Sequence, residues 1–177
     1  MKIFVGCSSS DLINKKYFET CEILLNKIFE EDFDLVFGAS TTGLMGLSYD
    51  IAKKHGKKII ATAPKVYEED LKVLECDEEI LTPNISLRTE VLIDESDVIL
   101  YLPGGVGTVY EFMSTLEFKR SGEFDKPIII YNYNGFFAEM IAMLNKIYKE
   151  NFTDEIVAKA YIVSDDIDEI IGLLKRG

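Results

Sequence analysis

Residues Asp97–Glu111 read DVILYLPGGVGTVYE. From Val98 to Leu102 every residue is apolar or aromatic, without polar alternation, which is the pattern of a strand covered on both faces. Pro103 ends the strand. Gly104, Gly105 and Gly107 follow, and helical spacing begins near Thr108 and runs to Lys119 or Arg120. In this order the glycines let a ligand approach the backbone, and the helix aims its free N–H groups and positive dipole end at the turn. Thr108 can cap the helix or donate a hydroxyl to phosphate. Glu111 lies one turn inside. It can reach the same pocket, or simply complement the dipole. The stretch is neither a GxGxxG turn nor a P-loop, since no Lys-Ser/Thr follows the glycines.

Working outward, the same rhythm repeats. Ile3–Val5 is a buried strand that stops at Gly6, with Ser8, Ser9 and Ser10 in the loop beyond. Tyr17, Phe18, Cys21, Leu24, Leu25 and Ile28 recur at spacings of three and four, one face of a helix from Asn14 to Phe29. Phe33–Phe37 is a strand ending at Gly38. GASTTGLMG (38–46) opens a helix to about Lys54, where Gly43 and Gly46 let the helix start press against the sheet or a ligand. Lys57–Thr62 is a strand closed by Pro64. Val66–Ile80 should hold a short helix, and Ser86–Glu95 a helix with Ser86 as its N-cap. After Pro127, IIIYN is another central strand, and a helix starts at Gly135. Tyr161–Val163 reads as a last short strand and Asp165–Lys175 as a closing helix. Strands alternating with helices predict right-handed crossovers and an α/β, Rossmann-like, doubly wound parallel sheet in three αβα layers, one domain over 1–177. In such sheets ligands bind beyond the carboxyl ends of the strands, where all the glycine-rich segments fall.

The totals narrow the partners. A net charge of −12 disfavours nucleic acid as a partner. It leaves small anions open, because backbone N–H nests hold phosphate on acidic proteins. An odd count of three cysteines, none in a CxxC pair, suits a reducing cytoplasm. The lone His55 and the absence of Cys/His ligand spacing predict no metal site. No apolar run is long enough to span a membrane, and MKIFVG enters a strand at once, so neither anchor nor secretory leader is expected. Arg88, in NISLRTE (84–90), suits phosphate or carboxylate through its planar fork. It can equally be a surface residue paired with Glu90 or Asp94. Cys7 has no evident base, so no thiolate nucleophile is expected.

Taken together, these segments resemble the LOG family of cytokinin-activating phosphoribohydrolases, long labelled lysine decarboxylases. PGGxGTxxE is matched by Pro103, Gly104, Gly105, Gly107, Thr108 and Glu111, GLMG by residues 43–46, and the opening Gly-Cys-Ser-Ser by residues 6–9. The resemblance implies hydrolysis of the N-glycosidic bond of a nucleoside 5′-monophosphate, such as AMP or a cytokinin riboside monophosphate. The products would be free base and ribose 5-phosphate. It implies Glu111 and Arg88 as catalytic residues, Gly104, Gly105, Val106, Gly107 and Thr108 around the 5′-phosphate, no cofactor, and a homodimer or larger assembly. Ser8, Ser9, Gly38, Thr42, Gly43, Met45 and Thr89 are expected in the substrate pocket. Thr89 stands where the family carries a lysine, and could hydrogen-bond an anion without the charge. The helices from Thr108 to Phe118 and from Phe136 to Leu144 are candidate dimer faces or core. Two other readings share the fold: a non-catalytic nucleotide or molybdenum-cofactor-like carrier, and a nucleoside deoxyribosyltransferase. Lysine decarboxylation needs a pyridoxal-phosphate lysine, for which the sequence offers no candidate.

Overall fold

Seven strands form one parallel sheet in a computed structural model that describes residues 1–175. They are β1 (Lys2–Gly6), β2 (Asp34–Phe37), β3 (Ile59–Pro64), β4 (Glu78–Thr82), β5 (Val98–Tyr101), β6 (Ile128–Tyr131) and β7 (Ile162–Ser164). Their order is β4-β3-β2-β1-β5-β6-β7, every neighbouring pair parallel. The chain builds outward from β1 to β4, then returns to lay β5 on the other side of β1. The loops leaving β1 and β5 therefore diverge to opposite faces and open a crevice between them.

Side-chain alternation along each strand divides the interior in two. Ile3, Val5, Leu35, Phe37 and Leu100 point to one face, where α1 (Lys15–Glu30), α2 (Gly43–Lys54) and α8 (Ile167–Leu174) cover them with Leu24, Ile28, Leu44 and Ile170. Phe4, Val36, Ile99, Tyr101 and Ile130 point to the other. There α4 (Ile85–Asp94), α5 (Val106–Ser121), α6 (Ala138–Lys149) and α7 (Glu155–Lys159) supply Leu92, Phe112, Leu116, Leu144 and Val157. This is the expected three-layer α/β architecture. Among the described residues no helix is long and apolar enough to cross a membrane.

Several local expectations change. The segment after Pro64 holds a 3-10 turn (Lys65–Tyr67) and the one-turn α3 (Glu68–Leu71), but it ends in β4, which was not expected. β4 is an edge strand whose Glu78, Glu79 and Leu81 are exposed, so it lacks an apolar run to announce it. Its glutamates also discourage edge-to-edge pairing. Asn84, not Ser86, caps α4: its side chain accepts from Leu87 N, while Ser86 Oγ lies 3.2 Å from the Tyr110 hydroxyl. Helix α5 starts at Val106, so Thr108 is inside the first turn and does not cap it. Tyr133–Gly135 is a 3-10 turn with Asn134 at φ 54°, which delays α6 to Ala138. The short α7 had no counterpart in the sequence reading.

Candidate active site

The crevice between β1 and β5 widens into a cleft of about 460 Å³. Its floor and walls come from the loops after β1, β2 and β5, the end of β3, and the first turns of α4 and α5. Backbone bonds lock these loops to one another. Ser8 N donates to Pro103 O at 3.3 Å, and Met45 N donates to Ser8 O at 3.1 Å. Gly43 N donates to Asp11 Oδ1 at 2.8 Å, and Thr42 Oγ1 donates to Ser9 O at 2.6 Å.

The glycines sort into two kinds. Some are required by the protein itself. Gly43 has φ 63°, and a Cβ there would lie 2.5 Å from the Ser9 carbonyl carbon; one on Gly46 would lie 2.3 Å from Thr41 O. A Cβ on Gly104 would strike Thr108 Oγ1 at 2.0 Å, and one on Gly38 would strike Arg88 Nη2 at 1.8 Å. Gly105 and Gly107 are different: nothing lies within 4 Å of a Cβ at either position, and neither has positive φ. The folded chain alone gives no reason for glycine at 105 and 107. They leave bare backbone at the start of α5, whose N-terminus no side chain caps. Its first N–H groups have no partner inside the helix and point toward the cleft, an arrangement suited to an anion.

Arg88 and Glu111 meet at the centre. Arg88 Nη1 donates to Glu111 Oε1 at 2.6 Å, with side-chain exposures of only 11% and 6%. Arg88 Nε donates to Thr62 O at 3.2 Å and Nη2 to Gly38 O at 3.4 Å. Three of the five guanidinium N–H groups are thus spent on the protein, and the ring of contacts fixes the side chain. Neither Glu90 nor Asp94 is its partner. Glu111 has a second support below: Thr115 Oγ1 bonds the Glu111 carbonyl and the Tyr101 hydroxyl, each at 2.7 Å. Burial raises the Glu111 carboxyl above its ordinary value, and the Arg88 charge and hydrogen bond offset part of that rise. Burial also pushes the Cys7 thiol on the cleft floor well up, which leaves it protonated and unsuited to nucleophilic attack. His55 lies at the end of α2, its Nε2 3.0 Å from Asn26 Oδ1, and does not line the cleft.

Of the expected pocket residues, Ser8, Ser9, Gly38 and Met45 line the cleft, as do Gly105, Val106, Gly107, Thr108, Arg88 and Glu111. Four do not. Thr42 and Gly43 hold the serine loop from behind, and Gly104 packs on Thr108. Thr89 is fully buried and donates to Ile85 O at 3.1 Å, because it sits one position around α4 from Arg88. Threonine there removes no charge from the cleft. Conversely Pro64, Tyr67, Asp70, Ile85 and Tyr110 line its outer end without having been singled out. Tyr110 was visible inside the motif, but Tyr67 and Asp70 lie in the segment whose structure the sequence left open.

The fold and the cleft define a doubly wound α/β protein with a buried carboxylate–guanidinium pair at its switch point. The chain belongs to the LOG family: the family model described as "Possible lysine decarboxylase" matches residues 45–174. It is similar to the cytokinin riboside 5′-monophosphate phosphoribohydrolase LOG3 of Arabidopsis thaliana, 25% identical over 99% of this chain and 82% of that protein. The probable enzyme of the same name, LOG6, from the same plant is 28% identical over 85% of this chain and 75% of its own length. Among solved structures, the molybdenum cofactor carrier protein of Chlamydomonas reinhardtii shares the fold. Its TM-score is 0.72 at 20% identity, over 99% of this chain and 96% of that one.

The two kinds of glycine make opposite predictions. Gly46→Ala should destabilise by roughly 1–3 kcal/mol, because overpacking against the Thr41 backbone outweighs alanine's better helix propensity. Gly172→Ala, in α8 with nothing within 4 Å, should stabilise by about 0.5–1 kcal/mol. Urea midpoints of both variants read the signs directly.

Proposed function

We propose that the chain is a single nucleotide-binding domain that hydrolyses the N-glycosidic bond of a nucleoside 5′-monophosphate, AMP or a cytokinin riboside monophosphate, to free base and ribose 5-phosphate. The observation that carries this reading is the buried carboxylate of Glu111, held by Arg88 in the same cleft as the uncapped N-terminus of α5. The names of the similar plant proteins give the same activity.

In the proposed reaction the N–H groups of Val106, Gly107 and Thr108 take the 5′-phosphate. The C1′–N bond breaks, its electron pair leaves with the base, and positive charge develops on the ribose. The Glu111 carboxylate faces that charge and accepts a proton from the water whose oxygen bonds to C1′; the departing base nitrogen takes up a proton. Arg88 acts chiefly by holding Glu111. Its two remaining N–H groups can reach a ribose hydroxyl, a narrower role than phosphate capture. A decarboxylase built on a pyridoxal Schiff base finds no support, since no lysine lines the cleft among the described residues. The three free cysteines fit a reducing, cytoplasmic setting.

Purified protein should release adenine from AMP, and Glu111→Gln should lower kcat by about a hundredfold or more while circular dichroism stays native. Stoichiometric release unaffected by the substitution contradicts the assignment. Saturable binding without turnover would mark a carrier, and a covalent sugar on Glu111 a transferase. Since the ionised carboxylate does the work and burial raises its pKa, activity should fall as pH drops through a value above 4.5. For the proposed homo-oligomer, Met143 and Phe152, left exposed on and just after α6, offer better support than α5, whose Phe112 and Leu116 are buried. Light scattering should then give a mass at least twice 20.1 kDa.

A further inference from the structure

The cleft crosses the sheet in a fixed order. At one end is the bare turn after β5. Gly6 of β1 comes next, where a Cβ would lie 3.3 Å from Glu111 Oε2. Gly38 after β2 and Thr62 of β3 follow, both bonded by Arg88. Pro64, at the end of β3, leads into Tyr67 and Asp70 at the far end. From β5 to β3 is three strand spacings, about 14 Å, which is the scale of an extended nucleoside monophosphate. Uncapped helix starts stand at both ends, but at the β3 end they belong to a 3-10 turn (Lys65–Tyr67) and the one-turn α3, whereas the β5 end has the sixteen-residue α5 and its larger dipole. With phosphate there and the reacting carbon beside Glu111, the base must reach the β3 end.

That end has the surfaces a base needs. Tyr67 and Tyr110 are 54% and 39% exposed, and Ile85 is 46% exposed, although all three line the cleft. These are flat or aliphatic faces left without protein partners, suited to the faces of a heterocycle. Asp70 is the sole charged lining residue outside the Arg88–Glu111 pair among the described residues. No cation pairs with it there, and its oxygens accept no hydrogen bond from a described group. Asp70 is exposed in the first turn of α3, so its carboxylate is hydrated and free to exchange water for a ligand N–H. At about 14 Å its repulsion of the phosphate is screened beyond a Debye length, roughly 8–10 Å, so the local contact decides.

We infer that Asp70 is a specificity residue: its carboxylate accepts a hydrogen bond from an exocyclic N–H on the base and turns away bases that present a carbonyl there. The inference rests on the proposed hydrolase reading. An amino or mono-substituted amino base keeps an N–H for Asp70. A 6-oxo purine presents a lone pair to it, and an N6,N6-dimethyl adenine has no N–H to give.

The test compares AMP, IMP and N6,N6-dimethyl-AMP with the wild-type protein and with Asp70→Asn. For the wild type, kcat/KM should favour AMP over both others by about tenfold or more. In Asp70→Asn, whose amide can donate to a 6-oxo group, the AMP-to-IMP ratio should fall to near one or reverse. A ratio near one in the wild type, or one unchanged by the substitution, overturns the inference. Calorimetric binding of AMP and IMP to Glu111→Gln, with and without Asp70→Asn, separates the two readings. If no base is released from any nucleotide the hydrolase reading fails, while the binding ratio still decides Asp70. Absence of any AMP preference in binding, or of binding itself, then overturns the assignment of Asp70.

Discussion

The ion pair of Arg88 and Glu111 is the contact around which the cleft is arranged. Two charges nearly sealed from water carry a desolvation cost that their mutual attraction offsets only when the geometry is tight and other hydrogen bonds are satisfied. Here the contact is 2.6 Å, and the guanidinium also donates to Gly38 O and Thr62 O. Losing one partner of such a pair typically costs about 3–5 kcal/mol. Much of the surrounding sequence serves it. Gly38 is glycine because a Cβ would occupy the space of Nη2, and Gly6 because one would strike the Tyr101 ring at 2.6 Å and crowd Glu111. Thr115 and Tyr101 stiffen the turn of α5 that carries the carboxylate.

Topology explains why two residues far apart in sequence meet. Arg88 enters on α4, which follows the outermost strand on one side, and Glu111 on α5, which follows β5 after the chain has jumped across β1. Both helices pack on the same face, so their first turns converge over the carboxyl ends of β1 and β2. The same convergence reconciles a protein of net charge −12 with the anionic ligand proposed for it. The site offers backbone N–H groups and a helix end in place of a cluster of lysines. The Arg88 charge is already largely committed to Glu111.

The sheet was legible because its central strands are continuous apolar runs; VILYL and IIIY leave no other reading. β4 was not, since an edge strand with EEILT has no run and pairs on one side only. Glu111 and Arg88 were singled out by residue type and position, and the motif resemblance gave them catalytic roles. Their mutual contact was not foreseen, because Arg88 had nearer carboxylates in sequence at Glu90 and Asp94. Thr89 was misplaced for a geometric reason: adjacent helical residues point about 100° apart, and on α4 that turn carries Thr89 from the cleft into the core. Gly43 and Gly104 were read as ligand glycines when their missing Cβ atoms make room for protein. No sequence rule separates that case from Gly105 and Gly107, where the space is open.

The central claim is that Glu111 faces the anomeric carbon of a nucleotide whose phosphate rests on the start of α5. A crystal structure of Glu111→Gln with AMP tests it most directly. The phosphate should accept from the N–H groups of Val106, Gly107 and Thr108, with C1′ in van der Waals contact with the residue 111 side chain. A phosphate bound at the β3 end, or a ribose turned away from residue 111, would contradict it.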